Sequence, residues 1–100
     1  MTTLGTDVRI PLALSASADE NSIVVELDDG RQLTVPIAWY PRLLHATDVE
    51  RANIRLIGRG EGLHWPDVEE DVSVAALIEG KRSFESPASL QRWLSKRTAA

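Results

Sequence analysis

The sequence predicts an α+β fold in which a small antiparallel sheet, built from β-hairpins, carries short helices and a C-terminal helix. Two observations favour this class. Alternating apolar residues flank an Asp29-Gly30 pair, which is the strongest short-range signal for a hairpin. Strand patterns come first along the chain and helix signals mix in later, without the regular strand–helix alternation of a parallel sheet.

The N-terminal part of the chain contains two strand signals of different strength. Four apolar residues alternate on one side of an extended segment: Val8, Ile10, Leu12 and Leu14. Pro11 limits this segment to an edge strand or an irregular arm. The stronger strand signal ends at Leu27. Asp29 and Gly30 follow it, and we expect these two residues to adopt the positive backbone angles of a tight turn. The returning strand ends at Pro36, because proline cannot donate to the ladder.

Two short helices are predicted after this hairpin. The first begins near Pro41, since a proline in the first helical turn loses no hydrogen bond, and it turns Leu43 and Leu44 inward. The second begins after Thr47. The spacing of Thr47 to Glu50 is that of a capping box, in which each side chain satisfies the free backbone N–H of the other residue.

A second pair of strands precedes an acidic corner. Residues 54–57 and 63–65 predict the two strands, and Pro66 ends the second one after Trp65. A short amphipathic helix then starts at Val74 and stops at Gly80. The free N–H groups and the dipole at its start favour carboxylates, so we interpret Asp71 as the N-cap, with Ser73 as the alternative.

The end of the chain predicts a linker and a terminal helix. Ser86 and Pro87 supply an N-cap and a first-turn proline, and three residues form one apolar stripe: Leu90, Trp93 and Leu94. We therefore assign residues 1–80 to a single α+β domain. Residues 81–100 form a polar, mobile linker and an amphipathic helix that belongs to the same domain or makes an oligomer contact.

Charge and composition restrict the possible functions. Residues 1–80 contain six basic and fourteen acidic side chains, whereas residues 81–100 contain five basic and one acidic. The basic residues either complement the dipole of the terminal helix or bind a polyanion. The absence of cysteine excludes disulfides, thiolate nucleophiles and cysteine-ligated zinc. The apolar run at residues 10–14 is too short for a signal peptide or a membrane span, so we expect a cytoplasmic protein.

The segment over residues 60–74 places His64 among carboxylates and raises the question of a metal or catalytic site. Its candidate partners are acidic residues that follow it: Asp67, Glu70 and Asp71. Hard cations prefer carboxylates and imidazole suits transition metals. However, the spacing matches neither a calcium loop nor a helical zinc motif. We interpret the segment as a structural corner and expect no catalytic residue, metal or cofactor.

Aromatic and basic residues offer candidate contact positions. Tyrosine, tryptophan and arginine dominate binding hot spots, but aromatic residues also fill cores. The residues predicted to contact a partner are Tyr40, Arg42, Arg92, Trp93 and Lys96. The residues predicted to build the fold are Gly30, Trp39, Pro41, Trp65, Pro66 and Asp71, with both tryptophans in the core. The stripe on the terminal helix packs on its own sheet or completes a second chain, and we expect association through this helix.

Two long motifs are similar to a known family. They are DDGRQLTVPIAWYPRLLHAT over residues 28–47 and GEGLHWPDVEEDVSVAALIEG over residues 60–80. Together they resemble the bacterial family catalogued as domain of unknown function 2442. The resemblance implies no assigned enzyme activity. Some members carry an added helix-turn-helix domain, for which too few residues follow Gly80, and others are encoded beside a second small protein in arrangements suggestive of toxin and antitoxin.

We therefore expect a non-enzymatic protein-interaction module of the bacterial cytoplasm. Its partner is itself or the product of an adjacent gene, for which it would be the antitoxin-like partner. Two alternatives remain open: a nucleic-acid-linked regulator that uses the basic C-terminal tail, and a small metal-dependent enzyme that uses His64 and the acidic run.

Overall fold

The computed structural model describes residues 9–99. Within this range the chain forms two three-stranded antiparallel sheets with several short helices and a C-terminal helix, so the α+β prediction is confirmed and the single sheet becomes two. The elements in chain order are β1 (Ala13–Ala18), β2 (Ser22–Leu27), β3 (Gln32–Pro36), a 3-10 turn (Ile37–Trp39), α1 (Pro41–Leu44), α2 (Asp48–Ala52), β4 (Arg55–Ile57), β5 (Gly62–Trp65), β6 (Glu70–Ser73), α3 (Val74–Ile78) and α4 (Pro87–Ala99).

The first sheet has the strand order β1-β2-β3 and includes the predicted hairpin. Its turn differs in one detail from the sequence prediction, because only Gly30 has a positive φ, of 94°. The Gly30 N–H donates to the Leu27 carbonyl at 3.2 Å, and the Leu27 N–H donates to the Arg31 carbonyl at 2.8 Å. This is a tight turn followed by one left-handed glycine, which needs a positive φ at a single residue.

The first strand is irregular near its start. β1 begins at Ala13, which is buried, whereas Leu14 is 65% exposed and Ile10 is 60% exposed. The pairing with β2 is irregular between Ala13 and Ser15, and this irregularity changes which side chains face the core. Ile10 and Leu14, which the pattern places on one side of the segment, are therefore both exposed, and Ala13 is the residue that enters the core. Val8, which belongs to the same pattern, lies outside the described residues.

The second sheet has the strand order β4-β5-β6. The sequence pattern predicts β4 and β5 but not β6, because the acidic run was expected to lead directly into a helix. Instead, residues 66–69 form a turn in which Glu69 has a φ of 55°, and Glu70 pairs with Trp65. Val68 is fully buried and holds this turn against the core.

The two sheets meet at the turn between β4 and β5. The Ala13 N–H donates to the Gly60 carbonyl at 2.8 Å. Gly60 has a φ of 111°, and a Cβ at this position would collide with the Ala13 carbonyl oxygen. Only glycine meets both requirements. Both sheets contribute to one core whose largest fully buried side chains are Trp65, Ile23, Leu43, Leu63 and Leu77.

The short helices begin where the sequence predicts. Pro41 occupies the first position of α1, and Leu43 is buried, but Leu44 is 44% exposed and does not turn inward. The capping box of α2 is complete: Thr47 Oγ1 accepts from the Glu50 N–H at 3.1 Å, and Glu50 Oε1 accepts from the Thr47 N–H at 2.8 Å.

Arg51, on α2, is a buried cation that links helices to the second sheet. Its guanidinium donates to the carbonyls of Leu43 and Ala46 and pairs with Asp48 at 2.7 Å. Its own carbonyl accepts from the Trp65 indole N–H at 3.0 Å. Oxygen atoms accept from both terminal nitrogens of the guanidinium, whereas its buried Nε has no hydrogen-bond partner within the described residues. The backbone carbonyl of Arg51 meanwhile fixes the central tryptophan.

The C-terminal helix packs on the body of the molecule. Its cap is Ser86, whose Oγ accepts from the Ser89 N–H at 3.1 Å. The preceding segment is fixed by hydrogen bonds, because the Ser83 N–H donates to the Trp39 carbonyl and the Tyr40 hydroxyl donates to the Lys81 carbonyl. These hydrogen bonds attach the predicted linker to the body of the domain, while its mobility stays a prediction. No helix within residues 9–99 is long and apolar enough to cross a membrane.

Candidate functional site

The two carboxylates of the acidic run on β6 lie on opposite faces of the second sheet. Successive residues of a strand alternate between its faces. Glu70 pairs with Trp65, and both lie on the face that packs against the core. Asp71 pairs with His64 on the other face, which solvent reaches. The segment that suggested one metal or catalytic cluster is therefore divided in two.

On the exposed face, the Asp71 carboxylate contacts Nδ1 of His64. The nearby Ser73 hydroxyl accepts from the Ala76 N–H at 3.2 Å and so caps α3. The assignment of Asp71 as the cap is therefore corrected to Ser73, because Asp71 lies two residues before the cap, inside β6. Over the described part of the chain, no group of three or more His, Cys, Asp or Glu side chains is placed to hold a metal ion.

On the core face, Glu70 is the acidic residue whose environment is most unusual. Burial raises its pKa, the nearby Glu85 carboxylate adds to this effect and Arg42 opposes it, so that the pKa of Glu70 is about 7. Desolvation penalises the charged form of a carboxyl group, so a partly buried Glu next to another carboxylate holds its proton more tightly. The group therefore titrates close to neutral pH.

Arg42 is committed to contacts within the chain. Its Nε and Nη2 donate to the Glu85 carboxylate at 2.9 and 2.7 Å, and Nη1 donates to the Val68 carbonyl at 3.1 Å. The fork geometry makes this a strong pair, and it lowers the pKa of Glu85. Arg42 thus ties the start of α4 to the turn before β6, which leaves it little capacity to contact a partner.

Trp93 is also used internally. It is 9% exposed, and its ring lies 5.4 Å from the Arg42 guanidinium and 4.6 Å from that of Arg97. Arg97 in turn donates to the Glu50 carboxylate at 3.0 and 2.8 Å. The apolar stripe of α4 therefore packs on its own domain, and the prediction of Trp93 as a contact residue for another chain is corrected. Two other predicted contact residues of α4, Arg92 and Lys96, are exposed.

Of the neighbouring aromatic residues, Tyr40 is more deeply buried than predicted, and Trp39 packs against the core but is only partly buried. Tyr40 is 4% exposed, and both burial and the charge of Glu70 raise its pKa. Trp39 is only partly buried, and the Arg82 guanidinium lies 4.9 Å from its ring. Tyr40 is therefore a core residue, and Trp39 contributes a ring face near the surface.

A cleft of about 210 Å³ lies between β6 and the segment Lys81–Phe84. The residues lining it are Tyr40, Glu70, Asp71, Val72, Ser73, Ala76, Lys81, Arg82, Ser83 and Phe84. Phe84 is 92% exposed, the largest exposed fraction among the exposed large apolar side chains in the described residues. The cleft thus combines an exposed aromatic ring, a stacked guanidinium and a strand edge. It is the candidate functional site.

The sequence did not identify Arg82 or Phe84 as site residues. One signal could have found them: Phe84 is the only phenylalanine of the chain, and it lies in a polar segment rather than in a periodic apolar pattern. A large apolar residue in such a place has no role in a strand or a helix face. Its surroundings became visible only when the fold brought Trp39 next to Arg82.

Comparisons with solved structures show the same fold. A crystal structure of a protein of unknown function from Rhodospirillum rubrum has a TM-score of 0.67 and 27% identity, and covers 82% of this chain and 99% of that chain. A solution NMR structure of an uncharacterized protein from Chromobacterium violaceum has a TM-score of 0.61 and 26% identity, with 86% and 75% of the two chains covered. No curated protein matches the sequence.

The family comparison agrees with the resemblance found in the motifs. A family model described as a protein of unknown function, DUF2442, matches residues 13–83. The match runs from the first strand to the segment beside the cleft, and so includes both sheets and most of the cleft lining. With this extent of agreement, the chain belongs to the DUF2442 family.

Proposed function

We propose that the chain is a non-enzymatic protein-interaction module of the bacterial cytoplasm, and that its cleft binds a small protein encoded by an adjacent gene, in the manner of an antitoxin. The observation that carries this proposal is the exposure of Phe84, 92%, beside a guanidinium that stacks on Trp39. Exposed aromatic and arginine side chains at a concave position are typical of binding hot spots.

The composition of the site supports binding rather than chemistry. The His64–Asp71 pair lies on an open sheet face, and the neighbouring Ser73 hydroxyl already accepts a backbone N–H to cap α3. The residues lining the cleft include no histidine and combine an exposed aromatic ring with a guanidinium. A protein partner fits these features better than a substrate or a cofactor.

The proposal can be tested by co-expression and calorimetry. The tagged chain would be co-expressed with the product of the adjacent gene, the complex purified, and its affinity measured for the wild type and for Phe84→Ala. We expect Phe84→Ala to weaken binding about tenfold or more, as truncation of a hot-spot residue does. Val49→Ala is the matched control, because Val49 is 78% exposed but lies on α2 and does not line the cleft. Equal affinities of Phe84→Ala and the wild type, or no complex, would contradict the proposal.

A further inference from the structure

β6 is an edge strand whose outward backbone groups face the cleft. The Val74 N–H donates to the Glu61 carbonyl at 3.0 Å, and this bond sets the alternation along the β5–β6 ladder. Hydrogen-bonded pairs then fall at Val72 and Glu70, because such pairs alternate with non-hydrogen-bonded ones in an antiparallel ladder. The N–H and C=O of Asp71 and the N–H of Ser73 therefore point away from β5.

The segment on the other side of the cleft does not pair with this edge. The Lys81 N–H donates to the Ala76 carbonyl at 2.9 Å, and the Ser83 N–H donates to the Trp39 carbonyl at 3.1 Å. Over residues 9–99, no backbone hydrogen bond joins this segment to β6. One wall of the cleft is thus an unpaired strand edge, which is a template for another strand.

We propose that this cleft accepts an extended peptide segment of a partner protein, which adds to the second sheet as a fourth strand alongside β6. The inference rests on the proposed function and specifies how the partner binds. Main-chain hydrogen bonds to the edge supply affinity in this mode, and pockets for alternate side chains supply specificity.

The side chains around the cleft define the chemistry of that segment. The Arg82 guanidinium is held over Trp39, and no carboxylate pairs with it within the described residues. Stacking covers the face of a guanidinium but leaves its N–H groups free for a carboxylate. Phe84 presents an uncovered ring next to it. The segment therefore carries an acidic side chain for Arg82 and a large apolar side chain for Phe84.

A second copy of this chain fits the cleft less well than a flexible segment. The β6 edge of another molecule would bring its own Lys81–Phe84 segment, so two folded edges would approach with two protruding segments between them. A single extended strand avoids this collision, since it needs room for its backbone and alternate side chains only.

The pairing can be tested with synthetic peptides. Peptides that bind the wild-type protein would be selected from a phage-displayed library and then N-methylated at each position in turn. N-methylation removes one backbone N–H, so we expect losses of about tenfold at every second position and small effects between them. We also expect the selected peptides to share an acidic residue near an apolar one. Because the protein is unchanged in this scan, its folding does not affect the result.

Protein variants test the same contact from the other side. Asp71→Pro removes an N–H that faces away from β5, which an edge strand tolerates. Asp71→Ala is its matched control, because it loses the same side chain but keeps the N–H. We expect the peptide affinity of Asp71→Pro to be about tenfold lower than that of Asp71→Ala. Arg82→Gln should weaken acidic peptides, and Arg92→Gln, on the exposed side of α4, should not.

Each outcome decides between the two proposals. Losses that show no two-residue period, or equal affinities for the Pro and Ala variants, would refute strand addition. If Phe84→Ala still abolished binding of the adjacent gene product, the proposal of an interaction module would stand while strand addition failed. A library that yields no binding peptide would overturn strand addition as well, since an edge that binds extended segments must select some of them.

Discussion

The two faces of the second sheet carry similar polar chemistry in opposite environments. Glu70 and Asp71 are adjacent in the chain, yet Glu70 shares the core face with Trp65, and Asp71 shares the open face with His64. Burial raises the pKa of Glu70 to about 7. Whether an acidic side chain of this run is buried or solvated therefore depends on the face of the strand that it occupies, and not on its residue type.

The two faces of the second sheet also differ in how much they contribute to the stability of the fold. The core face connects to the internal network of Arg42 and Glu85, which fixes α4. The open face has a single His64–Asp71 contact in solvent, and exposed ion pairs contribute little to stability. Substitutions on the core face should therefore lower stability strongly, whereas loss of the His64–Asp71 contact on the open face should have little effect.

The largest loss of stability is expected at Trp65, in the centre of the core face. Trp65→Ala should lower the free energy of unfolding by about 3 to 5 kcal/mol, because it empties a fully buried site and removes the indole donor of the Arg51 carbonyl. His64→Ala, on the opposite face of the same strand, should change it by less than about 0.5 kcal/mol. Urea denaturation of both variants measures this. A Trp65→Ala midpoint close to that of the wild type would contradict the assignment of faces.

The next effect depends on pH and concerns Glu70. Its folded-state pKa, about 7, lies above the ordinary glutamate value of 4.5. The stability that its protonated form contributes is therefore complete below pH 4.5 and is lost as the pH rises through 7. Glu70→Gln cannot ionise, so at pH 8 it should be more stable than the wild type by up to about 3 kcal/mol, with the difference vanishing near pH 4.

Thermal denaturation across this pH range would measure the Glu70 effect. Glu69→Gln provides the matched control, because it removes one negative charge from the exposed neighbouring position in the same turn. If the Glu70→Gln and wild-type stabilities ran parallel with pH, the carboxyl group would be solvated, and the distinction between the two faces would fail at this residue.

The smallest effect on stability is expected at the start of α3, where Ser73 and Asp71 can be compared. Ser73→Ala should cost about 1 kcal/mol, since the hydroxyl caps the helix by accepting the Ala76 N–H. Asp71→Ala should cost less than about 0.5 kcal/mol, because its carboxylate makes an exposed contact with His64. Melting temperatures at pH 7 distinguish the two. A larger loss for Asp71→Ala would restore Asp71 as the group that stabilises the helix.

Local signals explain which parts of this fold could be predicted from the sequence. The β2–β3 hairpin and the capping box of Thr47 and Glu50 depend on residues within a few positions of each other, so their patterns are complete in the sequence. β6 was missed because its acidic residues hide the alternation of a strand. The inward register of β1 was missed because an irregularity after Ala13 is set by its partner strand.

The candidate site could be predicted only in part, for a similar reason. Trp39 and Tyr40 were recognised as a pair with one core role and one surface role, but a short 3-10 turn decides which ring enters the core. The pairing of Arg42 with Glu85 joins residues far apart in the chain, so no spacing indicates it. The cleft beside Phe84 exists only after the 3-10 turn and the Arg42–Glu85 pair have both formed.

The contact between Gly60 and Ala13 has a consequence for folding kinetics. Each sheet is assembled from neighbouring strands, so its hairpins close short loops and can form early. The joint between the sheets instead closes a long loop, from residue 13 to residue 60. We expect this joint to form late, after the barrier. A Cβ introduced at Gly60 by substitution would then act mainly on the unfolding rate, shortening the lifetime of the native chain while leaving its speed of folding nearly unchanged.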